Sequence, residues 1–321
     1  MTNFDPALLQ WLLDGDPVIR HWVQRDLLRS SEQKIQEARK AITLQGWGKS
    51  LLEMQDPEGT WGHGLYSPKW ISTFYTCLLL KRLELPLQPA IGRGLEILVR
   101  ANKAVDGGWG PQKTWNPSDT CVNGMLLGML AYWGLQSTLQ ESLVHHLLRV
   151  QMDDGGWNCR WHKGDHHSSF HSTLSVLEGM WNYQSNQKES NLQISKALAA
   201  GIGFLLDHKL YQSHRTGAIV DQRMTRLSFP TRWRYDILKA LDLFQLMQIL
   251  PDDRMEPAVE MLVRKADKTG KWPLQQNHAG QVFFHLEETG HPSRINTIRA
   301  LRVLQWWESR TTEVASQKKQ V

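Results

Sequence analysis

The chain has 321 residues, 41% hydrophobic and 21% charged, with a mean hydropathy of −0.44 and a net charge of +5. It is long enough to bury a large core. No apolar run approaches the 18 residues a transmembrane helix needs, and Lys and Arg are mixed with Asp and Glu rather than gathered with aromatics, which speaks against nucleic-acid binding.

In chain order, apolar residues recur at helical spacing over 6–14 and 17–28, then over 72–83, 88–101, 119–133, 139–150, 169–181, 191–206, 232–250, 254–266 and 295–307. The segments 72–83, 119–133, 169–181, 232–250 and 295–307 are apolar around most of their circumference, as an inner layer would be; their partners are amphipathic. Between them stand three similar corners: Gln55 to Trp61 (QDPEGTW), Lys103 to Trp109 (KAVDGGW) and Gln151 to Trp157 (QMDDGGW). Their tryptophans are 48 residues apart, twice, and a weaker copy ends at Trp272. The longer interval before Trp272 leaves room for one degenerate unit near 210–221. Glycine permits the tight turn, the acidic residue caps the following N–H groups, and Trp wedges between helices. Inner segments share an entry residue: Thr73, Thr120, Thr173 and Thr297, with Asp236 in the fourth unit.

Helix hairpins at a fixed period predict a repeat architecture. The expectation is an all-α, (α/α)6 toroid: six outer–inner pairs forming one domain over 1–308, with 309–321 as a disordered tail. An open α-solenoid is the rival reading. Cys77, Cys121 and Cys159 show no CxxC spacing, so no disulfide framework is expected. The start of the chain has neither a basic segment nor a small-residue cleavage site, so a cytoplasmic location is expected.

The corner pattern resembles the QW repeat of squalene–hopene and oxidosqualene cyclases, and the helix pairing resembles the prenyltransferase/squalene oxidase repeat, over 46–307. The resemblance implies a single toroid with a central cavity. Its class II members protonate an alkene with the middle acid of D-x-D-D-T. The matching stretch here is Asn116-Pro117-Ser118-Asp119-Thr120, with Ser118 at the donor position and Asp119 beside it. A serine hydroxyl is too weak an acid for that step.

Protein prenyltransferase β subunits offer a second comparison, in which Arg and Lys hold a diphosphate while Asp and Cys bind zinc. Arg160, Lys163, Asp165 and His167 fall at those positions with one residue deleted. Aligning on Thr173 instead puts His171 at the Cys position. Asp165, His167 and Cys159 are the residues a zinc ion would take. The family's third ligand corresponds to Asn296, a poor one, so a metal-free histidine site is expected and no other cofactor.

Cys159–His171 holds four histidines, an Asp and a Cys, a density that suggests acid–base chemistry by His171, His167, Asp165 and Asp119. Arg160 and Lys163, with Arg232, Arg234 and Tyr235, would bind an anionic head group, and Pro230 marks a helix start. Trp115 would line a cation-stabilising cavity. The expected function is a terpenoid cyclase/prenyltransferase-like enzyme acting on an isoprenoid or diphosphate-bearing apolar molecule, with peripheral membrane contact or a partner subunit left open. A non-catalytic binding toroid and a carbohydrate-active toroid are the alternatives.

Overall fold

The computed structural model describes residues 4–318, with side chains through residue 309. All the regular elements are helical: α1 (Pro6–Leu13), α2 (Pro17–Trp22) running into a π-turn (Val23–Leu27), α3 (Glu32–Leu44), α4 (Gly46–Glu53), α5 (Thr73–Arg82), α6 (Pro89–Arg100), α7 (Thr120–Tyr132), α8 (Thr138–Arg149), α9 (Phe170–Ser185), α10 (Leu192–Asp207), α11 (Ile237–Leu246), α12 (Glu256–Val263) and α13 (Arg294–Lys318). The boundary expected at 308 falls inside α13, and beyond it lie side chains and residues outside the described part.

Each corner tryptophan closes its own hairpin. The indole Nε1 of Trp61, Trp109, Trp157 and Trp272 donates to the carbonyl of Leu51, Leu98, Leu147 and Leu262, at 2.8, 2.7, 2.7 and 2.7 Å. Each accepting leucine lies in the outer helix just completed. The indole thus buries its area and satisfies a helix carbonyl together. Gly94 in α6 and Gly201 in α10 admit the ring of the preceding corner, since a Cβ at either would lie 2.7 Å from Cζ3 of Trp61 or Trp157. Gln55 and Gln151 tie the corners to the following outer helix, donating to Ala90 and Ala197 carbonyls at 2.7 and 3.0 Å.

The entry residue is also explained. The backbone N–H of Trp61, Trp157 and Trp272 donates to Oγ1 of Thr73, Thr173 and Thr297, at 3.0, 2.9 and 3.0 Å. In the second unit the acceptor is Asn123 Oδ1 at 2.8 Å, which corrects the expected Thr120 by three residues. The fourth corner lacks Trp; there the Tyr235 hydroxyl donates to the Leu210 carbonyl at 2.6 Å.

α2, α5, α7, α9, α11 and α13 form the inner layer. α7 and α9 approach so closely that a Cβ on Gly179 would lie 2.1 Å from the Gly124 carbonyl oxygen. The ring closes where α13 packs on α2 and its π-turn. Arg302 there reaches Asp26 at 3.1 Å, and Arg294 donates to the Trp11 carbonyl at 2.8 Å. The fold is therefore an all-α toroid of paired helices, not an open solenoid.

Three elements differ from expectation, α4 (Gly46–Glu53) being one for which no helix was expected. α11 starts at Ile237 rather than after Pro230, because the Asp236 carboxylate caps the Lys239 N–H (2.8 Å) while Arg232 takes a left-handed φ of 54°. α3 was not expected. Its sequence is polar and only Ile42 is buried, so no apolar stripe betrays it.

Candidate functional site

The inner helices line a chamber of about 450 Å³ that is partly open to solvent. Its wall runs from the last turns of α5 and α7 through the middle of α9, α11 and α13, and α3 crosses it with Glu32, Ile35, Gln36 and Arg39. Trp22, Tyr132, Leu174, Trp181, Phe229 and Leu243 supply apolar surface. Between them stand seven cationic side chains (Arg25, Arg39, Lys81, Arg82, Lys239, Arg299 and Arg302) and four carboxylates (Glu32, Glu84, Glu178 and Asp242).

These charges form two linked groups. Glu178 pairs with Lys81 at 2.6 Å and Arg82 at 3.7 Å. Asp242 accepts from Arg299 Nε at 2.9 Å and Arg302 Nε at 2.6 Å, and Arg302 continues to Asp26. Asp26 and Glu84 both bind Arg25, and His21 lies 3.5 Å from Glu84. Arg299 and Arg302 also lie over the rings of Phe229 and Trp22, at 5.6 and 5.7 Å.

Burial alone would push these carboxyls up. Arg302 and Arg299 outweigh it at Asp242, Lys81 and Arg82 at Glu178, and Arg25 at Glu84, so all three stay ionised. None can donate a proton near neutrality. The two-carboxylate arrangement of a glycosidase requires one that can.

Two cations are under-compensated, Arg82 because it shares Glu178 with Lys81 and reaches it only at 3.7 Å. Arg82 donates to Thr231 and to the Arg232 carbonyl, and its Nε is buried without a partner. Lys239 is 5% exposed, donates to the Arg234 carbonyl at 3.2 Å, and has no ion-pair partner among the described residues. Burial, followed by the neighbouring Arg82, lowers its amine to about 7.

The residues expected from the sequence lie mainly at the other end, where the inner helices begin. His171, in the first turn of α9, accepts the Tyr235 N–H on Nδ1 at 2.8 Å and packs on Trp233 at 5.2 Å. Burial, with Lys239 and Arg234, lowers it to about 4, so it is a neutral acceptor joining α9 to the entry of α11. Tyr235 is buried and committed to Leu210. His167 is exposed, and Asp165 pairs with Arg160 at 3.0 Å on the surface. Lys163 is exposed in a 3-10 turn (Trp161–Lys163). Cys159 turns to Cys121 and Ser172, away from that pair. Asp165, His167 and Cys159 are not gathered, and among the described residues no group of three or more His, Cys, Asp or Glu is placed to hold a metal.

Arg232 is buried over the Trp70 ring (5.4 Å) and lowered to about 9 by burial and then Arg82. Arg234 stacks on Trp233 at 4.5 Å. Trp115 packs edge-on against Tyr66, with centroids 4.6 Å apart. None of these three side chains lines the chamber.

Ser118 is bound by the corner carboxylate Asp106, through N–H at 2.7 Å and Oγ at 3.0 Å. Ser168 binds Asp154 in the same way in the next unit, so Ser118 is a corner staple. Aligned on Asn123, the middle position of D-x-D-D-T falls on Cys121 and the first on Asp119. Burial raises the Asp119 carboxyl. Neither register supplies a middle acid.

No protein-family model matches the chain, and no curated protein matches it. Among solved structures it is similar to a protein from Actinoplanes, at 16% identity and TM-score 0.46, covering 92% of this chain and 90% of that one. It is also similar to the type II terpene cyclase MstE from Scytonema in two complexes. With the product merosterolic acid A, identity is 13%, TM-score 0.35, and coverage 94% and 98%; with the substrate geranylgeranyl dihydroxybenzoate the values are 14%, 0.35, 93% and 97%.

Proposed function

We propose that the central chamber binds an amphipathic small-molecule anion, with an isoprenoid-like or similar apolar body and a carboxylate or diphosphate head. The protein on this reading is terpenoid cyclase/prenyltransferase-like but does not start its chemistry from a D-x-D-D acid. The observation that carries the proposal is the excess of cations around the chamber, seven against five carboxylates once Asp26, which pairs with Arg25 and Arg302, is counted with Glu32, Glu84, Glu178 and Asp242. A buried cation without a full counter-charge is costly, and an anionic ligand reduces that cost at Lys239 and at Arg82, which shares Glu178 with Lys81. Trp22, Trp181 and Phe229 provide faces for the apolar body.

The test is calorimetric titration with farnesyl diphosphate and farnesol as probes, with mass spectrometry of lipids extracted from the purified protein. Farnesyl diphosphate should bind at least about tenfold tighter than farnesol, a difference of about 1.4 kcal/mol. Lys239→Met should lose most of that preference. Equal affinities, or no binding of either with no anion extracted, would sink the reading. Products formed from the bound anion would separate an enzyme from a binding toroid.

A further inference from the structure

At the end of the ring away from the chamber, the second and third units meet through sulfur. Cys121 lies in the first turn of α7 and Cys159 in the segment leading to α9, and their sulfurs are 3.3 Å apart. The Thr120 hydroxyl and the Cys121 N–H donate to the Cys159 sulfur at 3.4 and 3.5 Å, and the Ser172 hydroxyl lies 3.3 Å from it. These donors favour a thiolate at Cys159, while the Asp119 carboxylate, which also hydrogen-bonds this sulfur, opposes it. Both residues are partly buried, whereas Cys77 is fully enclosed.

The charges around the pair are mixed. Asp119, just before α7, opposes a second negative charge, and the Tyr66 hydroxyl stays protonated. Lys69, from the segment between α4 and α5, and His162 and Lys163, from the 3-10 turn, face Asp119 and offset it. The hydrogen bond with Cys121 prevails over burial and lowers the Cys159 thiol to about 7, while the same bond and burial push Cys121 well up.

We propose that Cys159 and Cys121 form a nucleophilic dithiol that reacts with small disulfides, Cys159 attacking and Cys121 resolving. The Cys159 thiolate attacks one sulfur of R–S–S–R, forming a mixed disulfide and expelling RS⁻. Cys121 then gives up its proton and attacks the Cys159 sulfur, expelling the second RS⁻. The protein dithiol is oxidised by two electrons and the small disulfide is reduced to two thiols.

The experiment incubates the full chain with glutathione disulfide and follows it by intact mass and peptide mapping, beside Cys121→Ser and Cys159→Ser. The native chain should end with a Cys121–Cys159 linkage, reached at least about tenfold faster than Cys77 is modified, and with a rate half-maximal near pH 7. Cys121→Ser should stop at one glutathionyl group on Cys159, and Cys159→Ser should react at neither remaining thiol on that time scale. Circular dichroism checks that both variants fold; if either does not, timed alkylation of the native chain with iodoacetamide should label Cys159 before Cys121 and Cys77. Modification of Cys77 as fast as Cys159, or a native chain that accumulates the mixed disulfide without the internal linkage, overturns the proposal.

Discussion

At one end of the inner helices Lys81, Glu178, Lys239, Asp242, Arg299 and Arg302 meet around the chamber. At the other, Arg160, His162, Lys163, Asp165, His166 and His167 crowd a single loop. Both sets read as polar clusters. The first sits on helices with almost no exposed face, so each charge had to find a partner or take a shifted proton affinity. The second is mostly solvated; its one ion pair, Arg160–Asp165, joins side chains 66% and 30% exposed. Density of titratable residues is therefore a poor guide to a site until burial is known.

The sharpest way to break this contrast is to remove Asp242. Asp242→Ala leaves Arg299 and Arg302 without their shared carboxylate in the wall, and the expected loss is about 3–5 kcal/mol of stability in urea unfolding. A loss below about 1 kcal/mol would mean that water already solvates the group and that the chamber is no drier than the loop.

The fold was legible because its signal is local. Each corner indole bonds a carbonyl ten or eleven residues earlier, so glycine, tryptophan and their spacing record the hairpin directly. The chamber is not local: Lys81, Glu178, Lys239, Asp242 and Arg302 come from four helices and converge only after closure. A trace was present, in that Lys81, Lys239 and Asp242 interrupt helices that are otherwise largely apolar. α3 left none. The histidine loop drew attention through residue type, which sequence shows, while its exposure does not appear there. His171 stood out by residue type, but its partner is the Tyr235 N–H, and no spacing rule announces a backbone donor 64 residues away.

Lys239 tests the chamber half by pH. The unfolded chain holds this proton to about pH 10.4, whereas the folded chain releases it near 7. Between these values the unfolded state binds more protons, so stability rises with pH, by up to about 1.4 kcal/mol per unit. Lys239→Met should flatten that slope when unfolding is measured from pH 7 to 10. A ligand anion near Lys239, Arg82 and Arg299 should raise the amine again, so affinity for it should fall as pH rises above 7.

His171 tests the border between the two ends. Because its Nδ1 accepts the Tyr235 N–H, protonation must break that bond. The folded value is about 4 and the unfolded about 6.5, so stability present above pH 6.5 should be lost as pH falls through 4. His171→Ala should cost about 1–2 kcal/mol at pH 7, remove that acid-side slope, and leave farnesyl diphosphate affinity within about twofold. A variant that melts normally and binds nothing would return His171 to the site.

The smallest effect is expected in the loop. Asp165→Ala removes a surface ion pair, worth at most about 0.5 kcal/mol at moderate salt, because solvent screens both partners and holding them together costs side-chain entropy. The urea midpoint should hardly move, and added salt should change the variant and the native chain alike. Should the midpoint fall well beyond that, or ligand affinity change more than about threefold, the loop is coupled to the chamber. Segment 160–167 would then have to fold against the ring when the ligand is bound, and the contrast between a buried, charge-paired end and a solvated one would hold only for the empty protein.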